Sequence, residues 1–166
     1  MPLRLALHQP DIPQNTGTIM RLAACLGLGL DLIEPLGFAL DDKKMRRAGM
    51  DYLDRLDLVR HAGWGDFCAA CEAARARRVL LTTRADTPYT DFTYTSDDVL
   101  IVGSESVGVP DDVHADVAAR VTVPMVAGLR SLNVAVALAM VTGEALRQTG
   151  TGPGRQTGTG PGWQAD

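Results

Sequence analysis

The segment Val99-Leu100-Ile101-Val102-Gly103-Ser104-Glu105-Ser106-Val107-Gly108-Val109-Pro110 decides how this 166-residue chain is read. Four apolar residues without polar alternation suit a short strand in a sheet covered on both faces. The glycine-containing loop that follows stands where such a strand ends. Glycines let backbone approach a ligand closely, and a loop at a strand's carboxyl end offers free N–H and C=O groups. A loop whose glycines serve only its turn is the plainer alternative.

Working outward, similar short strands are expected at residues 3–8, 30–33, 58–61, 79–82 and 121–123. Between them, Ile19, Leu22, Ala23 and Leu26 recur at helical spacing, with Asn15 or Thr16 as cap and Gly27 as stop. Asp66 can cap a helix reaching about Arg77 after the Gly63-Trp64-Gly65 turn, and residues 132–148 form a long Ala/Val/Leu-rich helix. A polar stretch at 41–52 is expected to hold a short helix, and residues 88–96 read as loop. Strands alternating with helices imply an α/β domain with a largely parallel sheet. Ligands in such sheets bind outside the carboxyl ends of the strands. Three loops lie there: 82–86, 103–110 and 124–130.

One domain is expected over residues 1–148. Residues 147–154 read Arg-Gln-Thr-Gly-Thr-Gly-Pro-Gly, and residues 155–162 repeat them without change. Gly, Thr and Pro at that density cannot build a core, so 149–166 is read as a flexible tail. The apolar fraction of 46% and charged fraction of 22% are those of an ordinary globular protein. No run of 18 uncharged apolar residues suggests a membrane span, and the N-terminus is too strand-like for a signal peptide. A cytoplasmic protein is expected.

The net charge of −4 argues against broad, non-specific nucleic-acid binding and leaves room for local contact. Two basic patches exist, Lys43, Lys44, Arg46 and Arg47, then Arg75, Arg77 and Arg78; each alone reads as a solvated helix face. Cys68 and Cys71 have redox or zinc spacing, but no second pair exists and they fall inside a helix, so buried apolar roles are preferred. Cys25 leaves the cysteine count odd. His8, His61 and His114 show no metal-ligand spacing, and no metal site is assigned. No Gly-x-Ser-x-Gly elbow or phosphate-loop motif occurs. Gly27-Leu28-Gly29 precedes a strand rather than following one, which disfavours a dinucleotide fingerprint.

Other residues invite two readings each. Glu105 is a candidate base, ribose-hydroxyl acceptor or loop organiser. Arg21, among apolar neighbours on the first helix, lines a site or is a surface arginine. Arg130-Ser131-Leu132-Asn133 opens the final helix, where N–H groups and the helix dipole favour polar ligands, while Ser131 is also a plain N-cap.

Taken together, five segments resemble one family, the bacterial TrmL or YibK-like tRNA (cytidine/uridine-2′-O) methyltransferases of the SPOUT superfamily. The first is Pro10-Asp11-Ile12-Pro13-Gln14-Asn15-Thr16-Gly17-Thr18-Ile19-Met20-Arg21. The second comprises Ile33-Glu34-Pro35-Leu36-Gly37-Phe38 and the basic stretch from Asp41 to Tyr52. The third is Leu81-Thr82-Thr83, the fourth the loop 103–110, the fifth Val123-Pro124-Met125 with Arg130-Ser131-Leu132-Asn133. The match runs in order from residue 3 to about 148.

The resemblance implies an α/β-knot fold, a mostly parallel sheet with helices on both faces and a C-terminal trefoil knot. General topology rules would have favoured an unknotted sheet. It implies S-adenosylmethionine as cofactor, held by Leu81, Thr82, Gly103, Val123, Met125 and Ser131, and a homodimer whose site is completed across the interface. The first and final helices are the expected dimer elements. Arg21 is the family's motif arginine. Too basic to take a proton at neutral pH, it is expected to orient and electrostatically stabilise the ribose 2′-hydroxyl or alkoxide. Asn15, Glu105, Ser131 and Asn133 would hold the geometry of methyl transfer. Lys43, Lys44, Arg46, Arg47 and Arg130 are the expected RNA contacts.

The implied substrate is the wobble-nucleotide ribose of a tRNA, leucine isoacceptors above all. A different tRNA or rRNA nucleotide, or an inert RNA- or cofactor-binding paralogue, are the alternatives. The chain departs from the family's usual Gly-Pro-Glu-Thr-Arg-Gly-Leu-Pro at Ser104 and Val107. It also carries Gly143 where some members have a tyrosine.

Overall fold

The computed structural model describes residues 3–40 and 54–153. The expected short helix at 41–52, the patch Lys43, Lys44, Arg46 and Arg47, and the tail from residue 154 lie outside the described residues.

Six strands form one sheet in the order β3-β2-β1-β5-β4-β6. They are β1 Arg4–His8, β2 Gly29–Ile33, β3 Leu58–His61, β4 Arg77–Leu81, β5 Asp98–Val102 and β6 Ala119–Val121. Every strand pairing is parallel, with Leu5 opposite both Leu30 and Leu100 at the centre. The helices are α1 Pro13–Leu26, α2 Trp64–Ala74, α3 Asp111–Asp116 and α4 Val134–Thr149. No helix among the described residues is long and apolar enough to cross a membrane.

Strand side chains alternate between faces, and both faces are covered. Leu5, Leu7, Leu30, Leu32, Val79, Leu100 and Val102 meet Ile19, Met20 and Ala23 of α1 and Leu138, Val141 and Ala145 of α4. Ala6, Ile33, Leu80, Val99 and Ile101 meet Phe67 and Cys71 of α2 on the other face. Near-continuous apolar strands are therefore what the core requires. Each fully buried Leu or Ile contributes roughly 1.5–3 kcal/mol relative to exposure.

The second face also buries charge. Arg4 Nε donates to Asp31 Oδ2 at 2.7 Å, Arg4 also pairs with Asp57, and His61 Nε2 meets Asp31 Oδ1 at 2.8 Å. Arg4, Asp31 and His61 are each less than a tenth exposed. Such a cluster persists because its members pair with one another, although Arg4 Nη2 is buried without a hydrogen-bond partner. His8 takes no part in it; its ring packs edge-on against Trp64, 5.7 Å between centroids.

Element boundaries moved where capping was misread. α1 starts at Pro13 with Ile12 as N-cap and no capping side chain of its own. Proline suits the first helical position because its missing N–H needs no partner there. Asn15 and Thr16 therefore lie inside the helix rather than capping it. α4 is capped by Asn133, not Ser131, with Oδ1 accepting from Ala135 N and Val136 N. Gly27 does stop α1, at φ 66°. α2 ends at Ala74, three residues before Arg77, which instead opens β4. β6 ends at Val121, short of the expected Val123, and the six-residue α3 precedes it.

Beyond β4 the chain folds back on β6. Thr82 N donates to Val121 O, whereas Thr122 N donates to Thr87 O and Tyr89 N to Thr122 O. The end of β6 thus lies between two parts of the same stretch, β4 and residues 87–89. That stretch is tied down at its far end. Buried Asp98 accepts from Arg77 Nε at 2.7 Å and Thr95 N at 2.9 Å. Gln148 of α4 donates to Phe92 O and accepts from Tyr94 N, both at 3.0 Å.

Candidate active site

The central strands β1 and β5 lie where strand order reverses: the chain runs to β2 and β3 on one side and places β4 and β6 on the other. Loops leaving such neighbours part from each other and leave a crevice. A cleft of about 830 Å³ opens there, at the carboxyl ends of β4, β5 and β6.

Its floor and walls come from the three loops singled out in the sequence. Leu81 ends β4 and Thr82 follows it, Val102 ends β5 and residues 103–105 and 107–111 follow it, and Val123, Met125 and residues 131–133 lead into α4 at Val134. Every residue expected to hold a cofactor, Leu81, Thr82, Gly103, Val123, Met125 and Ser131, lines this one cleft. Asn15, Glu105 and Asn133 line it too.

The loop after β5 is closed by Ser104 N to Gly108 O at 3.1 Å and Gly108 N to Ser104 O at 2.8 Å. A Cβ on Gly103 would fall 2.5 Å from the Gly108 carbonyl carbon, so only glycine permits this closure. Gly108 itself has φ +73°, a left-handed conformation that favours glycine.

Four polar residues connect the cleft's rim. Glu105 Oε2 accepts from Asp11 N at 3.0 Å and Ile12 N at 3.3 Å. Glu105 Oε1 accepts from Asn15 Nδ2 at 3.1 Å. Asn15 Oδ1 accepts in turn from Asn133 Nδ2 at 2.9 Å. In return, Asp11 Oδ1 accepts from Glu105 N at 3.0 Å. The Glu105 carboxylate thus supplies the N-terminal cap that α1 lacks, where free N–H groups and the helix dipole favour an anion. Hydrogen bonding with the Glu105 side chain and Ser106 holds the Asp11 carboxyl well below the usual carboxylate range.

Of the three readings open for Glu105, the loop organiser has the geometry. Both carboxylate oxygens are engaged with the backbone of residues 11–12 and with Asn15. The second motif segment serves the same junction. Gly37 N donates to Pro10 O at 3.0 Å, and a Cβ there would fall 2.7 Å from Asp11 Cβ.

Two expected site residues are not brought in. Arg21 is exposed in the second half of α1 and does not line the cleft of its own chain. The reason is the helix start at Pro13, which carries residue 21 two turns away from the rim. Arg130 is exposed on the loop before α4 and also lies outside the lining. Conversely, Arg84 lines the cleft and was not singled out; the loop 82–86 was, and its only cation was the signal to follow.

Val107, replacing the family's usual arginine, is 84% exposed at the cleft mouth. The Cys68 and Cys71 thiols do not form a reactive pair. Burial pushes both up to about 11, and Cys68 Sγ donates to Asp116 Oδ2 at 3.4 Å.

The comparisons with known proteins point the same way. Residues 2–143 match the SpoU rRNA Methylase family. A protein of Beijerinckia indica named tRNA (cytidine(34)-2′-O)-methyltransferase is 58% identical over 146 residues, covering 88% of this chain and 91% of that protein. A solved structure described as "Structural insights into the 2-OH methylation of C/U34 on tRNA" superposes with TM-score 0.81 at 40% identity, over 88% of this chain and 95% of the other. An AdoMet-bound rRNA methyltransferase from Sinorhizobium meliloti gives TM-score 0.79 at 27% identity, over 88% of this chain and 56% of that one. With a family model spanning most of its length and a cleft assembled from that family's motif segments, the chain belongs to the SpoU methylase family.

Proposed function

We propose that this chain is an S-adenosylmethionine-dependent tRNA 2′-O-methyltransferase acting on the ribose of cytidine or uridine 34, with leucine isoacceptors as substrates, and working in the cytoplasm as a homodimer. The observation that carries the reading is the convergence of all six expected cofactor residues on one cleft beside the Asn133–Asn15–Glu105 chain. Relatives named for methylation of tRNA cytidine 34 support the substrate.

The donor set fits the cofactor. The cleft combines apolar walls from Leu81, Val123 and Leu132 with the polar Thr82 and Ser131, and glycine at 103 brings backbone close. Apolar walls with a few convergent polar groups suit an adenosine-containing ligand. Bound there, S-adenosylmethionine supplies an electrophilic methyl group on a sulfonium.

The chain's own residues do the rest. Glu105 fixes the start of α1 against the β5 loop, and Asn15 carries that register to Asn133 at the start of α4. Three separately folded loops are thereby held in one geometry, which in-line transfer demands. A ribose hydroxyl is a weak nucleophile, and a cation near it stabilises the developing alkoxide. Arg21 fills that role from a second protomer. This is supported by its exposure on α1, away from its own cleft.

The dimer reading rests on an apolar stripe beside that cleft. Val136 and Met140, four residues apart on α4, and Leu132 just before its N-cap are each more than a third exposed, as is Ile12 at the start of α1. α4 packs against α1, so the stripe and Arg21 belong to one helical layer. The trefoil knot is part of the same proposal, supported by the capture of the end of β6 between β4 and residues 87–89.

The test is methyl transfer from labelled S-adenosylmethionine to a tRNA-Leu transcript, beside the same tRNA carrying a 2′-deoxyribose at position 34. Label is expected on the first and not on the second. Equal labelling of both would place the methyl group elsewhere and overturn the reading.

A further inference from the structure

A second cleft, of about 360 Å³, opens between the loop after β4 and the turn joining α3 to β6, lined by Arg84, Phe92, His114 and Arg120 among others. Arg84 lines this cleft and the larger one, so the two share a wall.

Arg120 differs in its partners from several other arginines among the described residues. Arg4, Arg60, Arg77 and Arg78 are each paired with carboxylates on their own or neighbouring elements. Arg120 instead spends its Nε–H on His114, 2.7 Å from the carbonyl and 3.1 Å from Nδ1, and Nη2 on Ala115 O at 3.4 Å. Arg84 meets Asp111 at 2.8 Å, but that carboxylate is 90% exposed. An exposed pair of this kind is worth little and yields to a better anion.

His114 adds a directed donor. Nδ1 faces the Arg120 N–H and so accepts, which puts the ring proton on Nε2. Nε2 is buried and has no hydrogen-bond partner. Burial, with Arg84 and Arg120 beside it, favours the neutral ring and thus this tautomer. A buried N–H without an acceptor carries a desolvation cost that an incoming oxygen would relieve. Phe92 completes the wall: one side of its ring is covered by the Arg77 guanidinium, 4.9 Å from the centroid, and the residue remains partly exposed.

We propose that this cleft binds a backbone phosphate of the RNA substrate next to the target nucleotide, with Arg84 and Arg120 as its cations and His114 Nε2–H as a neutral donor. Arg84, Arg120 and His114 line one hollow beside a single carboxylate, Asp86, and two guanidinium groups against one carboxylate suit phosphate oxygens. The partly exposed Phe92 ring suits an adjoining unstacked base, as single-stranded RNA recognition uses. The shared wall at Arg84 puts that phosphate beside the cleft assigned to methyl transfer, and the inference rests on that assignment. It also accounts for how a chain of net charge −4 holds a polyanion: locally, on two arginines, one of them held only by an exposed carboxylate.

The experiment uses the full chain and an unmodified tRNA-Leu transcript, with Kd measured over a series of salt concentrations. Arg84→Ala is expected to weaken RNA binding about three- to tenfold and to lower the slope of log K against log salt by about 1. S-adenosylmethionine affinity, measured by calorimetry without RNA, is expected to stay within about twofold in Arg120→Ala, since Arg120 lines the second cleft only. KM for tRNA should rise more than kcat falls. His114→Phe, which removes the donor and keeps a ring, should weaken binding without changing the salt slope. Neutral methylphosphonate linkages on either side of nucleotide 34 identify the phosphate: one should weaken binding to the native protein and have no further effect in Arg84→Ala.

Unchanged RNA affinity and slope in Arg84→Ala, with native methyl transfer intact, would overturn the phosphate site and leave the methyltransferase reading standing. A native protein that binds RNA through Arg84 but transfers no methyl group would do the reverse. Competition by millimolar inorganic phosphate equal to that by RNA would assign the cleft to free anions and overturn the RNA proposal.

Discussion

Asp11 and Glu105, 94 residues apart, cap one another: each carboxylate accepts the other residue's backbone N–H at 3.0 Å. The junction joins the loop after β1 to the loop after β5, the two strands between which the crevice opens. Glu105→Ala would strand the N–H groups of Asp11 and Ile12 and the amide of Asn15. A loss of about 1–3 kcal/mol in urea unfolding is expected, with weakened cofactor binding by calorimetry. Unfolding and cofactor affinity both unchanged would remove Glu105 from its organising role.

The pH dependence of the junction follows from the depressed Asp11 carboxyl. A carboxyl held below its unfolded value of 3.8 contributes stability that is fully present above that value and is lost as pH falls below it. The chain should therefore lose stability on acidification below about pH 4, and Asp11→Asn should flatten that part of the curve. The check is urea midpoints at closely spaced pH values. A variant curve parallel to the native one throughout would contradict the assignment.

Asn133 combines two jobs that a single substitution can separate. Its Oδ1 caps α4, and its Nδ2 donates to Asn15. Asn133→Asp keeps the cap and loses the donor, so unfolding should barely change while kcat falls tenfold or more through misplacement of the rim. Asn133→Ala loses both, with a further cost of about 1 kcal/mol in stability. An active Asn133→Asp enzyme would show that the link to Asn15 is dispensable.

Gly29 and Arg4 form a pair of a different kind. A Cβ at Gly29 would fall 2.1 Å from Arg4 Nη1, so the buried guanidinium occupies the space that a side chain needs. Gly29→Ala must displace the end of the Arg4 side chain, and a loss of about 1–3 kcal/mol is expected as its buried hydrogen bonds are disturbed. In an Arg4→Met background the same substitution should cost much less. Equal costs in both backgrounds would show that the contact is not the cause.

The class of fold was legible because buried parallel strands leave a plain mark: short apolar runs such as residues 99–102, each followed by a glycine- or polar-rich loop. Chain position alone then put the three ligand loops at the carboxyl ends of strands, and the structure gathers them in one cleft. What stayed illegible was capping across the chain. Asn15 looked like a helix cap because the true cap of α1, Glu105, comes from a loop far along the sequence. Asn133 was hidden for a related reason, since Ser131 two residues earlier is an equally good cap by composition. Arg84 was missed because one arginine in a polar loop carries no periodic signal, and only the folded wall between two clefts gives it meaning.

On the proposed reading, Arg21 serves the cleft of a second protomer. With Arg21 exposed and outside its own cleft, mixing two inactive proteins should restore activity: Arg21→Ala supplies an intact cleft, and a cleft-defective Gly103→Val supplies the arginine. Recovery toward a quarter to a half of native activity is expected on mixing and refolding together. No recovery, with mixed dimers present by native mass spectrometry, would return Arg21 to a single-chain role.

The most direct test of the whole account is mass spectrometry of nucleosides and nuclease fragments from unmodified tRNA-Leu after incubation with the protein and S-adenosylmethionine. The account predicts 2′-O-methylcytidine or 2′-O-methyluridine confined to the fragment carrying nucleotide 34, and none with Arg21→Ala. A methyl group on a base, at another position, or formed equally well by the Arg21→Ala protein would contradict it.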